Sequence, residues 1–180
     1  AKEDRRLLLL CRLHYESLAR SRNRDALLQI CRAIPDALRP EIVLEIAAVP
    51  HSVPQIRLAD LIPPLRSFCR DIHWLAPATQ THFDNLCNVG IDAVGLDLER
   101  EAQDVPRLVE ILTNFAEPVR RAGFPSFVHG IASVELARTA VRAGFAQLSG
   151  PAIGPEVERV GPAYHLAPDS LLSQLGVDSA

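Results

Sequence analysis

The sequence predicts an α/β fold of the (β/α) TIM-type barrel class, present here as an incomplete barrel. Three observations carry that prediction. Short, near-continuously apolar runs recur six times along the 180 residues, as expected of parallel strands covered on both faces. Segments of helical period lie between several of them, so strand and helix alternate. A full barrel needs eight strands and about 250 residues, and only six strands can be placed. An open doubly wound sheet is the competing architecture. No linker or low-complexity stretch divides the chain, so residues 1–180 are expected to be a single domain.

The strands are expected at residues 7–13, 42–47, 72–75, 93–98, 126–129 and 146–148. His14, Tyr15 and Glu16 then read as a polar loop. A helix starts at Ser52 and Pro54 and is interrupted or kinked by Pro63-Pro64. Thr81 and Gly90 bracket a shorter helix. The acidic stretch 97–104 reads as a solvated loop. Asp104 can cap a long helix with Pro106 in its first turn, running through Leu108, Leu112 and Phe115 to Gly123, with Pro118 as a threat to its continuity. Ser133 can cap the next, whose apolar face is Leu136, Ala137, Ala140 and Val141 and which ends at Gly144. A last helix is expected from near Pro168 to just before Gly176.

Composition excludes several classes. Hydrophobic residues make up 48% and charged ones 23%, which suits a packed core rather than disorder. A formal net charge of −3 gives no global positive field for a nucleic-acid polymer or an acidic membrane. The longest apolar run, at residues 7–11, is too short to span a bilayer. The four cysteines, Cys11, Cys31, Cys69 and Cys87, form no CxxC pair and read as buried, reduced thiols of a cytoplasmic domain. The chain has no methionine, begins at Ala1, and is expected to be a segment of a longer protein. Its only lysine is Lys2.

The segment HGIASVELARTAVRAGFAQLSGPAIGP (129–155) resembles the late signature of EAL domains, the bacterial cyclic di-GMP phosphodiesterases: A-E-G-V-E-T, a helix, then L-G-x-x-x-x-Q-G and a downstream proline. Upstream, GIDAVGLDL (90–98) resembles the strand ending K-I-D. EIVLEIAA (41–48) resembles L-E-I-T-E, and LLLLCRLHYESL (7–18) resembles the V-N-x-S-x-x-x-L strand. Order and spacing hold over nearly the whole chain, and the E-A-L tripeptide would lie before Ala1. The resemblance implies a barrel whose site lies at the C-terminal strand ends. There, in active members, carboxylates and an asparagine hold divalent metals that activate water against a phosphodiester, assisted by a lysine and a glutamate.

Carried over residue by residue, Glu45 matches a metal-binding glutamate and Asp97 the aspartate of K-I-D. Arg12 stands where the family has its asparagine, and a guanidinium there repels a cation. Leu75 and Ala76 replace the paired aspartates, Gly95 the lysine, Ala48 the second glutamate of L-E-I-T-E, His129 the glutamate of A-E-G, and Ser149 the late glutamine. Losing several ligands together is severe for a catalytic metal. No catalytic residue, metal or cofactor is therefore assigned, and Arg12, Glu45, Asp97, His129 and Ser149 are taken as a vestigial site.

Other readings of these residues compete. Glu45, Asp97 and His129 can form a metal site, or Arg12 can neutralise both carboxylates in an ion-pair cluster, which is favoured. His129–Gly130 and Ser149–Gly150 can offer backbone N–H groups to phosphate, or the glycines can simply allow tight turns. A Ser133, His129 and Asp97 triad lacks a nucleophile-elbow motif. Trp74 is expected in the core. The function expected is that of a catalytically inactive EAL-like signalling domain, a regulatory module that meets a protein partner or other domains of its own chain, with homodimerisation open. The alternative is a receptor that binds cyclic di-GMP without hydrolysing it.

Overall fold

A computed structural model of the protein describes residues 8–50, 53–101, 104–154, 157, 158 and 173. Six strands, β1 (Leu9–His14), β2 (Ile42–Ala47), β3 (Asp71–Leu75), β4 (Ala93–Asp97), β5 (Ser126–His129) and β6 (Gln147–Leu148), pair in parallel in the order 1-2-3-4-5-6. A doubly wound sheet reverses its strand order at a switch point; this one never does. The sheet also curls. Neighbouring strands lie about 4.8 Å apart, so β1 and β4 are some 14 Å apart in a flat sheet, yet Arg12 on β1 reaches Asp97 on β4 at 2.8 Å. The architecture is six consecutive strands of a (β/α)-barrel.

Strand alternation assigns the two faces. Leu44, Ile46, Ile72, Trp74, Val94, Leu96 and Val128 point outward into the main core, which they share with the helices. Ala47, Leu75, Ala93 and Phe127 form a smaller cluster inside the curl. Buried Glu45, His73 and Asp97 share the alternation of that inner face. Trp74 is buried as expected and begins an edge-on aromatic series through Phe83 to Phe115, ring centroids 6.2 and 5.4 Å apart.

The described helices are α1 (Tyr15–Ala19), α2 (Ser21–Arg32), α3 (Gln55–Leu61), α4 (Val105–Arg121) and α5 (Val134–Ala143). In α4 the Asp104 side chain accepts from the Arg107 N–H at 3.2 Å, and Leu108, Leu112, Phe115 and Val119 form the buried stripe. Pro118 does not break this helix. The carbonyl its missing N–H would have met belongs to exposed Asn114, where water is available. In α5 Ser133 accepts from the Leu136 N–H at 3.3 Å, and Gly144 closes the helix at φ 90°. α3 stops before the two prolines, which begin a 3₁₀ turn at Pro63–Phe68.

Several expectations are corrected. Tyr15 opens α1 rather than a loop; it is buried, and His14 Nδ1 accepts from the Glu16 N–H at 3.3 Å. The stretch after Asp97 is a 3₁₀ turn at Leu98–Arg100 with Leu98 buried, because a strand end must bury its last outward residue. Between residues 81 and 90 only a 3₁₀ turn forms, at Asp84–Leu86. Cys31 and Cys69 are buried, and burial pushes the Cys69 thiol up to about 11, but Cys11 and Cys87 are exposed free thiols. β1 is largely uncovered, with Leu8, Leu9 and Leu10 each close to half exposed. Apart from Ser173, the helix expected from Pro168 lies outside the described residues. No described helix is long and apolar enough to cross a membrane.

Candidate functional site

Four of the five residues singled out from the sequence occupy inward positions near the C-terminal ends of their strands, and the fifth follows β6. Register sets Arg12 beside Glu45 and Asp97 beside His129. The side chains join into one chain of contacts. Arg12 Nη1 donates to Asp97 Oδ2 at 2.8 Å and Arg12 Nε to Glu45 Oε1 at 2.6 Å. Glu45 Oε2 meets His129 Nε2 at 2.6 Å, and His129 Nδ1 meets Ser149 Oγ at 2.6 Å. Ser149 is held by its backbone, donating to the Val128 carbonyl and accepting from the Ile131 N–H, both at 3.0 Å.

Burial is deepest at the middle of this chain, at Glu45. The Glu45 side chain is 0% exposed, Asp97 7%, His129 20% and Arg12 40%. Burial alone would raise the Glu45 carboxyl; the hydrogen bonds and charges of His129 and Arg12 outweigh it and hold the group below the usual glutamate range. Burial likewise works against the Arg12 guanidinium. Its bonds to Asp97 and Glu45 overcome that and raise its pKa above the ordinary value.

The donor set does not suit a divalent cation. Glu45 and Asp97 are already bridged by a guanidinium that carries a fixed charge. Among the described residues no group of three His, Cys, Asp or Glu side chains is arranged to hold a metal. Other positions where the sequence resemblance expects charged residues are apolar or glycine. Leu75 joins the inner apolar cluster and Ala76 the outer core. A Cβ at Gly95 would collide with the ring and the carbonyl oxygen of Phe127, so Phe127 fills the space a lysine would need. Ala48 follows β2 in a left-handed conformation at φ 56°.

Two clefts open on either side of Asp97. One of about 310 Å³ is lined by Ala48, Leu75, Ala76, Pro77, Arg100 and Glu101. The other, of about 570 Å³, is lined by Arg12, Glu99, His129, Gly130, Ser149 and Gly150. Gly130 at φ 77° and Gly150 at φ 144° permit close backbone approach. A Cβ on Gly130 would lie 2.9 Å from the Glu99 N, and one on Gly150 would strike the Ile131 backbone.

A triad of Ser133, His129 and Asp97 is not assembled: Ser133 is spent on the α5 cap, and Asp97 pairs with Arg12. Sequence reasoning passed over His73, the register partner of Glu45, which is buried and stacked on Phe127 at 5.0 Å. Strand alternation through Glu45 was the signal that places it inside. The Ser149–His129–Glu45 succession was also missed, because it joins three strand ends remote in sequence.

No family model matches the chain, and no curated protein sequence does. Solved structures do. The PaMucR phosphodiesterase in its c-di-GMP complex matches with a TM-score of 0.62 and 14% identity over 82% of this chain and 67% of that one. The FimX EAL domain from Pseudomonas aeruginosa bound to c-di-GMP matches at 0.57 and 16%, over 82% and 62%. The YdjI aldolase from Escherichia coli K12 matches at 0.54 and 12%, over 94% and 62%. The chain thus spans about two thirds of the length of these chains. Identities this low speak to architecture, and the architecture is EAL-like.

Proposed function

We propose that this EAL-like domain has given up metal-dependent phosphodiester hydrolysis and serves as a regulatory or protein-interaction module of a cytoplasmic signalling protein. The observation that carries the reading is Arg12. Its guanidinium lies between Glu45 and Asp97 at 2.6 and 2.8 Å and supplies the positive charge those carboxylates would otherwise take from a metal. The uncovered apolar edge at Leu8, Leu9 and Leu10 offers a surface for a protein partner or a second copy of the chain.

A second reading, a receptor that binds cyclic di-GMP without cleaving it, draws on the open cleft of about 570 Å³ beside Arg12 and on neighbours in complex with c-di-GMP. Charge disfavours it. Asp97 and Glu99 outnumber Arg12 on the cleft wall, so a dianionic dinucleotide meets net repulsion.

Calorimetric titration with cyclic di-GMP, with and without magnesium, separates the readings. Absence of binding in both conditions supports the interaction module. Micromolar binding without metal supports the receptor instead. Turnover that a chelator abolishes overturns both.

A further inference from the structure

We propose that Ser149, His129 and Glu45 form a metal-independent nucleophilic centre in which Ser149 attacks small, uncharged carboxylic esters. This goes beyond the interaction-module reading and does not depend on it, since it concerns acyl rather than phosphoryl chemistry.

The three side chains form an unbroken relay, Ser149 Oγ to His129 Nδ1 and His129 Nε2 to Glu45 Oε2, each contact 2.6 Å. Their exposure is graded as such chemistry requires: Ser149 is exposed, His129 half-buried and Glu45 fully buried. The relay has a direction. An ionised carboxylate only accepts hydrogen bonds, so His129 must carry its hydrogen on Nε2, facing Glu45. In the neutral ring Nδ1 is then the acceptor, and the Ser149 hydroxyl donates to it. Arg12 holds the other oxygen of Glu45, fixing the carboxylate from behind.

Ser149 and His129 both line the cleft of about 570 Å³, a size that suits a small molecule. Arg12 lines the same cleft and offers N–H groups not taken by the two carboxylates to a developing oxyanion. Asp97 and Glu99 on that wall turn away anionic esters. In the acylation step the Ser149 Oγ–carbonyl carbon bond forms, the carbonyl π pair moves to oxygen, and the hydroxyl proton passes to His129 Nδ1. Collapse breaks the ester C–O bond, and the alcohol leaves with that proton. Water then repeats the sequence on the acyl-serine, releasing the carboxylic acid and regenerating Ser149.

The test is labelling with an alkyl fluorophosphonate in excess chelator, read by intact mass and peptide mapping. Folded protein is expected to gain one adduct, on Ser149, that heat-unfolded protein does not acquire. Ser149→Ala, an exposed and conservative change, abolishes it. His129→Gln, which keeps hydrogen bonding but not the base, slows it at least tenfold. Hydrolysis of p-nitrophenyl butyrate in chelator follows the same order. The proposal is overturned if folded wild type takes no label, if the adduct survives Ser149→Ala, or if His129→Gln labels at the wild-type rate.

Discussion

Arg12 sets the character of the strand ends, because one guanidinium bridges two buried carboxylates. Arg12→Met is expected to destabilise the protein by about 1–3 kcal/mol. That is the cost of stranding buried acceptors, kept below the figure for a fully buried pair because Arg12 is 40% exposed. Urea denaturation of both proteins measures it, and an unchanged midpoint would mean that water already satisfies Glu45. His73 is the second residue with a consequence of its own. Burial depresses its pKa below the ordinary 6.5, against the opposing pull of Asp71, Glu45 and Asp92, while His129 adds to the depression. The unfolded chain therefore takes up the proton first as the pH falls. Stability from neutral His73 is full above about pH 6.5 and is lost as the pH drops through the lower folded value. His73→Phe, which can keep the stacking on Phe127, should flatten the melting temperature across that window. Parallel curves for the two proteins would remove His73 as the cause.

At the scale of elements, β4 and β5 show why position 95 admits no side chain by a single substitution. Gly95 and Phe127 are register partners, and the Phe127 ring lies over the glycine. Gly95→Ala is expected to cost about 1–3 kcal/mol by overpacking. In Phe127→Ala, which removes the ring but leaves the carbonyl oxygen that the new Cβ also meets, the same change should cost less. A double-mutant cycle in guanidinium reads the coupling, and additive effects would show that the ring is not the obstacle. The elements that were legible in the sequence share a cause. Residues 105–121 and 134–143 carry their own caps, stripes and stop signals, so local chemistry sufficed. What was missed required knowing which strand ends meet. Tyr15 looked polar beside His14 and Glu16, yet it is buried against the sheet. Glu45 and His129 are 84 residues apart, and only the curl of the sheet makes them neighbours.

At the scale of the whole molecule the six described strands curl, and among the described residues no pairing joins β6 to β1. β1 has no described partner on its outer side. Its register with β2 is fixed over six residues, but Leu8, Leu9 and Leu10 stand 46–47% exposed on both faces of the strand. The sequence announced those leucines as a strand covered on both sides, because apolar content reports what a strand is suited to bury. Whether a neighbour is present is not written in it. An uncovered parallel edge with apolar side chains is a template for association. This chain is therefore expected to self-associate with rising concentration. Leu10→Lys places a charge at an inward-facing edge position, and about half of that side chain already meets water. The substitution should shift the sedimentation-velocity distribution toward the monomer at a given concentration and leave the far-ultraviolet circular dichroism unchanged. A distribution that Leu10→Lys fails to move would place the contact elsewhere, on exposed Ile30 or Ile56 of the helical layer. A monomer at every concentration in both proteins would mean that the leucine edge does not drive association at all.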